Sequence, residues 1–281
     1  MAKRDPSEVR LAKLMARRGV ASRRECEEFI RSGRVMVNGK VIDHPAFFAD
    51  PRADDVRVDN KPLPPAPAPV YLLMYKPRGC ITSRDDPQER KSVFDLLGDR
   101  SEKVEPVGRL DFDTEGALLL TNDGDLAHLL THPSRDVPKR YLAKVYRTPG
   151  AKDLRALEQG VYLDDGRTKP ARVRVLDRTG KGNAWVEITV SEGRNRLVRR
   201  MLAQLGHPVS KLRRESFATL SIRGMERGQV RRLTPKEVLR LQEIAQGTKP
   251  SRAGKVRRGK GFARPRPKQT RPRSRRSGSK R

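Results

Sequence analysis

VGRLDFDTEGALLLTNDGD, residues 107–125, is the most informative stretch of the chain. An acidic, glycine-bounded loop runs straight into a strongly apolar strand, expected at Ala117–Thr121, and a helix is expected to follow at Asp125–Thr131. Asp111, Asp113 and Glu115 alternate along the loop and gather negative charge in a basic protein. The run Asp111-x-Asp113-x-Glu115-Gly116 imitates the start of an EF-hand. However, its twelfth position would be Asn122 rather than a bidentate Glu, and Leu118–Leu120 fall where a solvated loop should continue. A plain surface loop and a catalytic carboxylate at a sheet edge both fit what is left. The residues alone do not choose between them.

Around this stretch, strand-like and helix-like segments alternate. Further strands are expected at Tyr71–Lys76, Tyr141–Tyr146, Ala171–Leu176 and Trp185–Ser191, and helices at Asp153–Glu158 and Asn195–Leu205. Thr234-Pro235-Lys236-Glu237 opens one more helix, with Thr at the N-cap, Pro in the first turn and Glu three residues on. No regular βαβ alternation persists. The expected class is therefore α+β with a mixed, largely antiparallel sheet.

Upstream, KPLPPAPAP at 61–69 carries five prolines and reads as a stiff linker between a module at 8–60 and a domain at 70–247. In the module, Leu11, Leu14 and Met15 share one face of a first helix that Gly19 can end. Ser22 and Glu25 form a capping box for a second helix, with Phe29 and Ile30 on its apolar face and Gly33 as its stop. VMVNGKVI then reads as a hairpin turning at Asn38-Gly39. At the other end, residues 249–281 hold 15 Lys/Arg and no Asp/Glu, so segment 248–281 is expected to be disordered.

The 281 residues carry 63 Lys+Arg against 34 Asp+Glu, a formal net charge of +29. Without the basic tail the remainder is still +14. Such a field draws in polyanions, and nucleic acid leads because counterion release drives its binding. A membrane surface is the rival, but there is no apolar run near membrane-spanning length and no basic amphipathic helix with aromatic anchors. MAKRDPSEVR lacks the apolar stretch of a signal peptide, so a cytoplasmic protein is expected. A monomer is expected as well. Cys26 and Cys80 are too few for a disulfide framework or a structural zinc site. His128 and His132 have zinc-ligand spacing but no convincing third ligand, so no metal is expected. Walker, dinucleotide and Gly-x-Ser-x-Gly motifs do not occur.

Two families share these residues. Arg10 through ASRRECEEFIRSGRVMVNGKVI resembles the αL RNA-binding module first seen in a small-subunit ribosomal protein, with Ala12 and Met15 departing from its usual residues. The resemblance implies an RNA-facing set of Arg17, Arg18, Arg23, Arg24, Arg31 and Arg34. GRLDFDTEGALLLTNDGD resembles the signature of the RsuA/RluB branch of pseudouridine synthases, with Ala117 where Leu is common. That resemblance implies Asp111 as the catalytic nucleophile. KRYLAKV, 139–145, is similar to the segment whose tyrosine packs on the target base, here Tyr141. EGRNRLVRRM, 192–201, is similar to the motif whose arginine pairs with the nucleophile, here Arg199, although Leu197 replaces a usual glutamine. The helical wheel by itself would turn Arg196, Arg199 and Arg200 toward solvent or phosphate. Arg109, Arg196 and Arg200 complete the expected RNA contacts.

The resemblance spans about 10–245. It implies a cofactor-independent isomerisation of a uridine flipped out of ribosomal RNA, and the long basic tail favours the RluB type, which modifies large-subunit RNA near the peptidyl transferase centre. The small-subunit RNA, and a non-catalytic assembly factor with the same fold, are the alternatives.

Overall fold

Asn183–Val190 buries every second side chain, Ala184, Val186, Ile188 and Val190. One face of this strand lies on a core and the other faces water. The strand belongs to the large sheet of a computed structural model that describes residues 7–84, 86–98, 104–179 and 182–247. The tail expected at 248–281 lies outside the described residues.

The N-terminal module contains α1 (Leu11–Arg17), α2 (Arg23–Arg31), β1 (Val35–Val37), β2 (Lys40–Ile42), β3 (Val56–Val58) and β4 (Lys61–Pro62). The Ser22–Glu25 capping box is formed in both directions. Asn38 and Gly39 both take positive φ, 52° and 77°, as a tight I′ hairpin requires. Leu11, Leu14, Met15, Cys26, Ile30 and Val35 fill a core belonging to this module. The proline-rich segment begins inside the sheet, because Lys61 and Pro62 pair with β3. Lys13 and Arg17 of α1 both ion-pair with Asp125 of the larger domain.

That domain is built from β5 (Tyr71–Lys76), β6 (Thr114–Thr121), α3 (Gly124–Thr131), β7 (Lys139–Val145), α4 (Ala151–Gln159), β8 (Arg172–Thr179), β9 (Asn183–Val190), α5 (Leu197–Gln204), β10 (Val209–Phe217), β11 (Val230–Arg232) and α6 (Pro235–Ala245). The strand order is β8-β9-β7-β10-β6-β5-β11. Within that order only β10 and β6 run parallel, with Leu212–Arg214 against Thr114–Gly116. The expected mixed, largely antiparallel α+β domain is therefore found. One central element was not among the expected strands: β10 lies between the strands that carry Tyr141 and the acidic loop.

The unbroken apolar run of β6 has a simple cause. Leu118 and Leu120 join Leu72 and Met74 in one core, while Ala117 and Leu119 join Leu73, Leu126, Leu130 and Leu241 in another. A strand covered on both faces has no side to leave polar. Each leucine fully buried in this way contributes ~1.5–3 kcal/mol. A third core, with Ala143, Val186, Ile188, Val198 and Met201, packs α4 and α5 against β7 and β9.

Candidate active site

The loop that precedes β6 is fixed through its backbone. The buried Lys76 ammonium donates to the carbonyls of Pro77, Asp111 and Thr114 at 3.1, 3.1 and 3.0 Å. The Thr82 hydroxyl donates to the Leu110 carbonyl at 2.8 Å, and the Gly79 N–H donates to the Phe112 carbonyl at 2.9 Å. Burial lowers the Lys76 pKa to about 8, against the opposing pull of Cys80, Asp111 and Asp113. With its main chain held, the half-buried Asp111 presents its carboxylate to a cavity of about 390 Å³. Among the described residues that carboxylate has no hydrogen-bond or ion-pair partner. Tyr141 lines the same cavity, together with Lys139, Leu212 and Arg214. Asp111 and Tyr141, separated by thirty residues of chain, are brought together here.

Arg199 arrives differently from expectation. Its guanidinium is largely buried, and its ion pair is with Asp113, at 2.7 Å, rather than with Asp111. The same side chain donates to the Val209 carbonyl at 3.1 Å. Burial pulls the Arg199 pKa down while Asp113 and then Asp111 oppose that shift, so both carboxylates act on it. Arg196, at the N-cap of α5, takes a left-handed conformation, φ 46°, and the helix starts at Leu197 rather than at Asn195. Asp113 sits between two arginines, with Arg196 4.0 Å from its Oδ1.

The expected RNA-facing arginines divide into two groups. Arg34 is held by Asp59 at 2.8 and 2.6 Å and lies over the Phe29 ring, 4.2 Å from its centroid. Arg31 pairs with Glu28, Arg17 with Asp125, and Arg18 donates to the Pro64 carbonyl. Arg200 makes two bonds to Asp165, at 3.0 and 2.7 Å, and holds that carboxyl down at about 2. Arg23, Arg24 and Arg109 are exposed and have no ion-pair partner among the described residues. Arg109 and Arg196 lie at the cavity.

Several residues of the site escaped the sequence reading. Lys76 ends an apolar strand just before a proline, and Lys139 and Arg214 are cations on the strand faces that bury Ala143 and Leu212. Arg214 is only 2% exposed, and its Nε donates to the Ala117 carbonyl at 2.7 Å. Burial, followed by the Arg214 charge, lowers the Lys139 pKa to about 8. Among the described residues no three His, Cys, Asp or Glu side chains are grouped to hold a metal, and no helix is long and apolar enough to cross a membrane.

Comparison with known proteins decides what this arrangement belongs to. Residues 70–204 match the family model described as RNA pseudouridylate synthase, and residues 9–56 match the S4 domain. The ribosomal large subunit pseudouridine synthase B of Bacillus subtilis is 44% identical over 237 residues, which cover 84% of this chain and 96% of the relative. The chain belongs to the RNA pseudouridylate synthase family. An RNA pseudouridine synthase of Aquifex aeolicus is 41% identical over 235 residues, covering 83% of this chain and 94% of that one. A crystal structure described as pseudouridylate synthase superposes with a TM-score of 0.61 at 30% identity, covering 83% of this chain and 99% of the other. This pseudouridine synthase therefore joins an N-terminal S4 domain to the catalytic fold, and the two resemblances read from the sequence hold.

Proposed function

We propose that this pseudouridine synthase isomerises a uridine of large-subunit ribosomal RNA, with Asp111 as its nucleophile and the target base turned out of its stack onto Tyr141. One observation carries the assignment: an unpartnered carboxylate on an immobilised loop shares a cavity with an aromatic ring. A uracil between stacked neighbours is inaccessible, so extrusion exposes it. Stacking on Tyr141 then offsets part of the cost, on the order of 1–3 kcal/mol.

The isomerisation conserves every atom. The N1–C1′ bond breaks, a C5–C1′ bond forms, the C5 proton is lost and N1 gains one. The large-subunit assignment is supported by the Bacillus subtilis relative, a ribosomal large subunit pseudouridine synthase B. The 15 basic residues of 249–281 also favour it, and the sequence-based expectation of a site near the peptidyl transferase centre goes with it. Exposed arginines of the S4 domain and of the cavity rim would hold phosphates and set the register of the RNA.

Large-subunit ribosomal RNA transcripts labelled with tritium at uridine C5 test this directly, because isomerisation releases the label. Asp111→Asn is expected to abolish release while RNA binding persists. Undiminished release from that variant removes Asp111 from the mechanism, and release from small-subunit RNA alone moves the target.

A further inference from the structure

Arg214 has a donor that the fold does not use. It lies on β10 in register with Tyr141 of β7 on one side and with Gly116 of β6 on the other. Directly paired cross-strand residues place their Cβ atoms roughly 4.5–5.5 Å apart. A base stacked on Tyr141 would therefore have its edge within reach of the Arg214 guanidinium. Nε is occupied by the Ala117 carbonyl, but one terminal nitrogen, Nη2, is buried and has no hydrogen-bond partner. Among the described residues no carboxylate pairs with this side chain, although it lines the same cavity as Asp111. A guanidinium stays charged when buried, and this one has only the Ala117 carbonyl and the Phe217 ring, 5.2 Å from its centroid, to offset the cost of burying that charge. Packing alone does not explain such a residue.

We infer that Arg214 is a further catalytic residue, whose free N–H donates to a carbonyl oxygen of the uracil and stabilises the charge that this oxygen gains during the reaction. The inference rests on reading the cavity as the uridine site. When the N1–C1′ bond breaks, its electron pair stays on the base and spreads from N1 onto O2 and O4. It is withdrawn again as C5 bonds to C1′, the C5 proton leaves and N1 is protonated. Nothing is oxidised or reduced. A preorganised donor in a dry site acts on such charge far more strongly than water does. Position favours a base carbonyl over a phosphate: Val190, Leu212 and Phe217 line the cavity beside Arg214, while the exposed arginines at the cavity are Arg109 and Arg196.

The test is single-turnover tritium release from a C5-labelled large-subunit RNA transcript. Arg214→Met is expected to slow release by on the order of 10²–10³-fold, with transcript affinity within threefold of wild type and a melting temperature no lower than that of wild type. A rate within threefold of wild type, or a loss that resides wholly in affinity, overturns the inference. Should the Met variant not fold, Arg214→Lys replaces it. A lysine lacks the rigid planar fork that lets Nε serve Ala117 while Nη2 points to the base, so at least a tenfold loss is expected, and a wild-type rate overturns the role. Short RNAs with 2-thio- or 4-thiouridine at the target separate contact from structure, because sulfur accepts hydrogen bonds poorly. Thio substitution at the contacted carbonyl should slow the wild type but add little to the defect of the variant; full additivity at both carbonyls rejects the contact. A wild type that releases no tritium would fail the uridine-site reading itself, whereas normal release by both proteins fails only Arg214.

Discussion

The Arg199 guanidinium meets the Asp113 carboxylate at 2.7 Å, two residues along the loop from Asp111. Asp113 Oδ1 is buried without a hydrogen bond, and Arg199 Nε is likewise unpartnered. The pair is thus a strong contact with spare capacity on both sides, placed where Asp111 also feels the guanidinium. Asp113 acts as the residue that holds Arg199 beside the proposed nucleophile. Asp113→Asn keeps the shape but removes the charge that fixes Arg199. It is expected to slow tritium release by on the order of 10²-fold through misplacement, with RNA affinity nearly unchanged. A wild-type rate in that variant would leave Asp113 without this role.

Lys139 gives the protein a predictable response to pH. Its folded pKa of about 8 lies below the ordinary lysine value of 10.5, because burial and Arg214 disfavour the charge. Between those two values the unfolded chain keeps a proton that the folded chain has released, so stability rises with pH across that window. Below pH 8 both states are protonated and the penalty is constant. Lys139→Met removes this component. Measured by urea unfolding at pH 7.5 and pH 10.5, the stability difference should move toward the wild type by about 1–3 kcal/mol. Parallel profiles for the two proteins would contradict the shifted lysine.

Much of this architecture was legible because periodicity and turn chemistry agreed. Tyr71–Lys76 appears with the expected bounds, and Asn38-Gly39 makes its turn. What was hidden shares one cause: cations in positions that pattern reading gives to apolar side chains. VSKLRRESF, residues 209–217, carries Lys211, Arg213 and Arg214 among few apolar residues, so it does not read as a central strand. Yet Arg214 is buried as deeply as a core leucine. The helical wheel alone misses Arg199 for a related reason. A helical wheel puts it opposite the Val198–Met201–Leu202 stripe, but the loop carrying Asp113 covers that side as well. Asp111 itself was indistinguishable by pattern from a surface carboxylate, and only the family signature singled it out.

RNA binding by the S4 domain should depend unequally on its arginines. Arg23 and Arg24 open α2, exposed and without an ion-pair partner among the described residues, whereas Arg34 is tied to Asp59 by two bonds. A free cation releases counterions on meeting phosphate, while a paired one must first exchange its carboxylate. Replacing Arg23 and Arg24 together by Ala is expected to weaken binding and to flatten the dependence of log K on log salt by roughly 1.4–1.8. Arg34→Ala should change that slope by less than half as much. A change equal to half that of the double variant would show that the intramolecular pair is irrelevant to RNA contact.

Gly116 joins the proposed catalytic loop to the buried arginine, and its backbone separates strain from collision. At φ 128° it sits opposite Arg214 in the parallel pairing, and a Cβ there would run into the Arg214 backbone nitrogen, carbonyl carbon and oxygen. Backbone cannot rotate aside as a flexible side chain can, so Gly116→Ala must part β6 from β10. That would displace Thr114, Arg214 and the cavity wall together. Gly108, on the same loop at φ 73°, would meet only a Thr131 methyl at 3.7 Å, so Gly108→Ala isolates the cost of the left-handed backbone, about 1–3 kcal/mol. Gly116→Ala is expected to exceed ~4 kcal/mol, or to leave the protein insoluble. Thermal and urea unfolding of the two variants side by side decide the matter. If they lose the same stability, the β6–β10 approach is looser than this pairing requires, and the position of Arg214 is not set by the missing side chain.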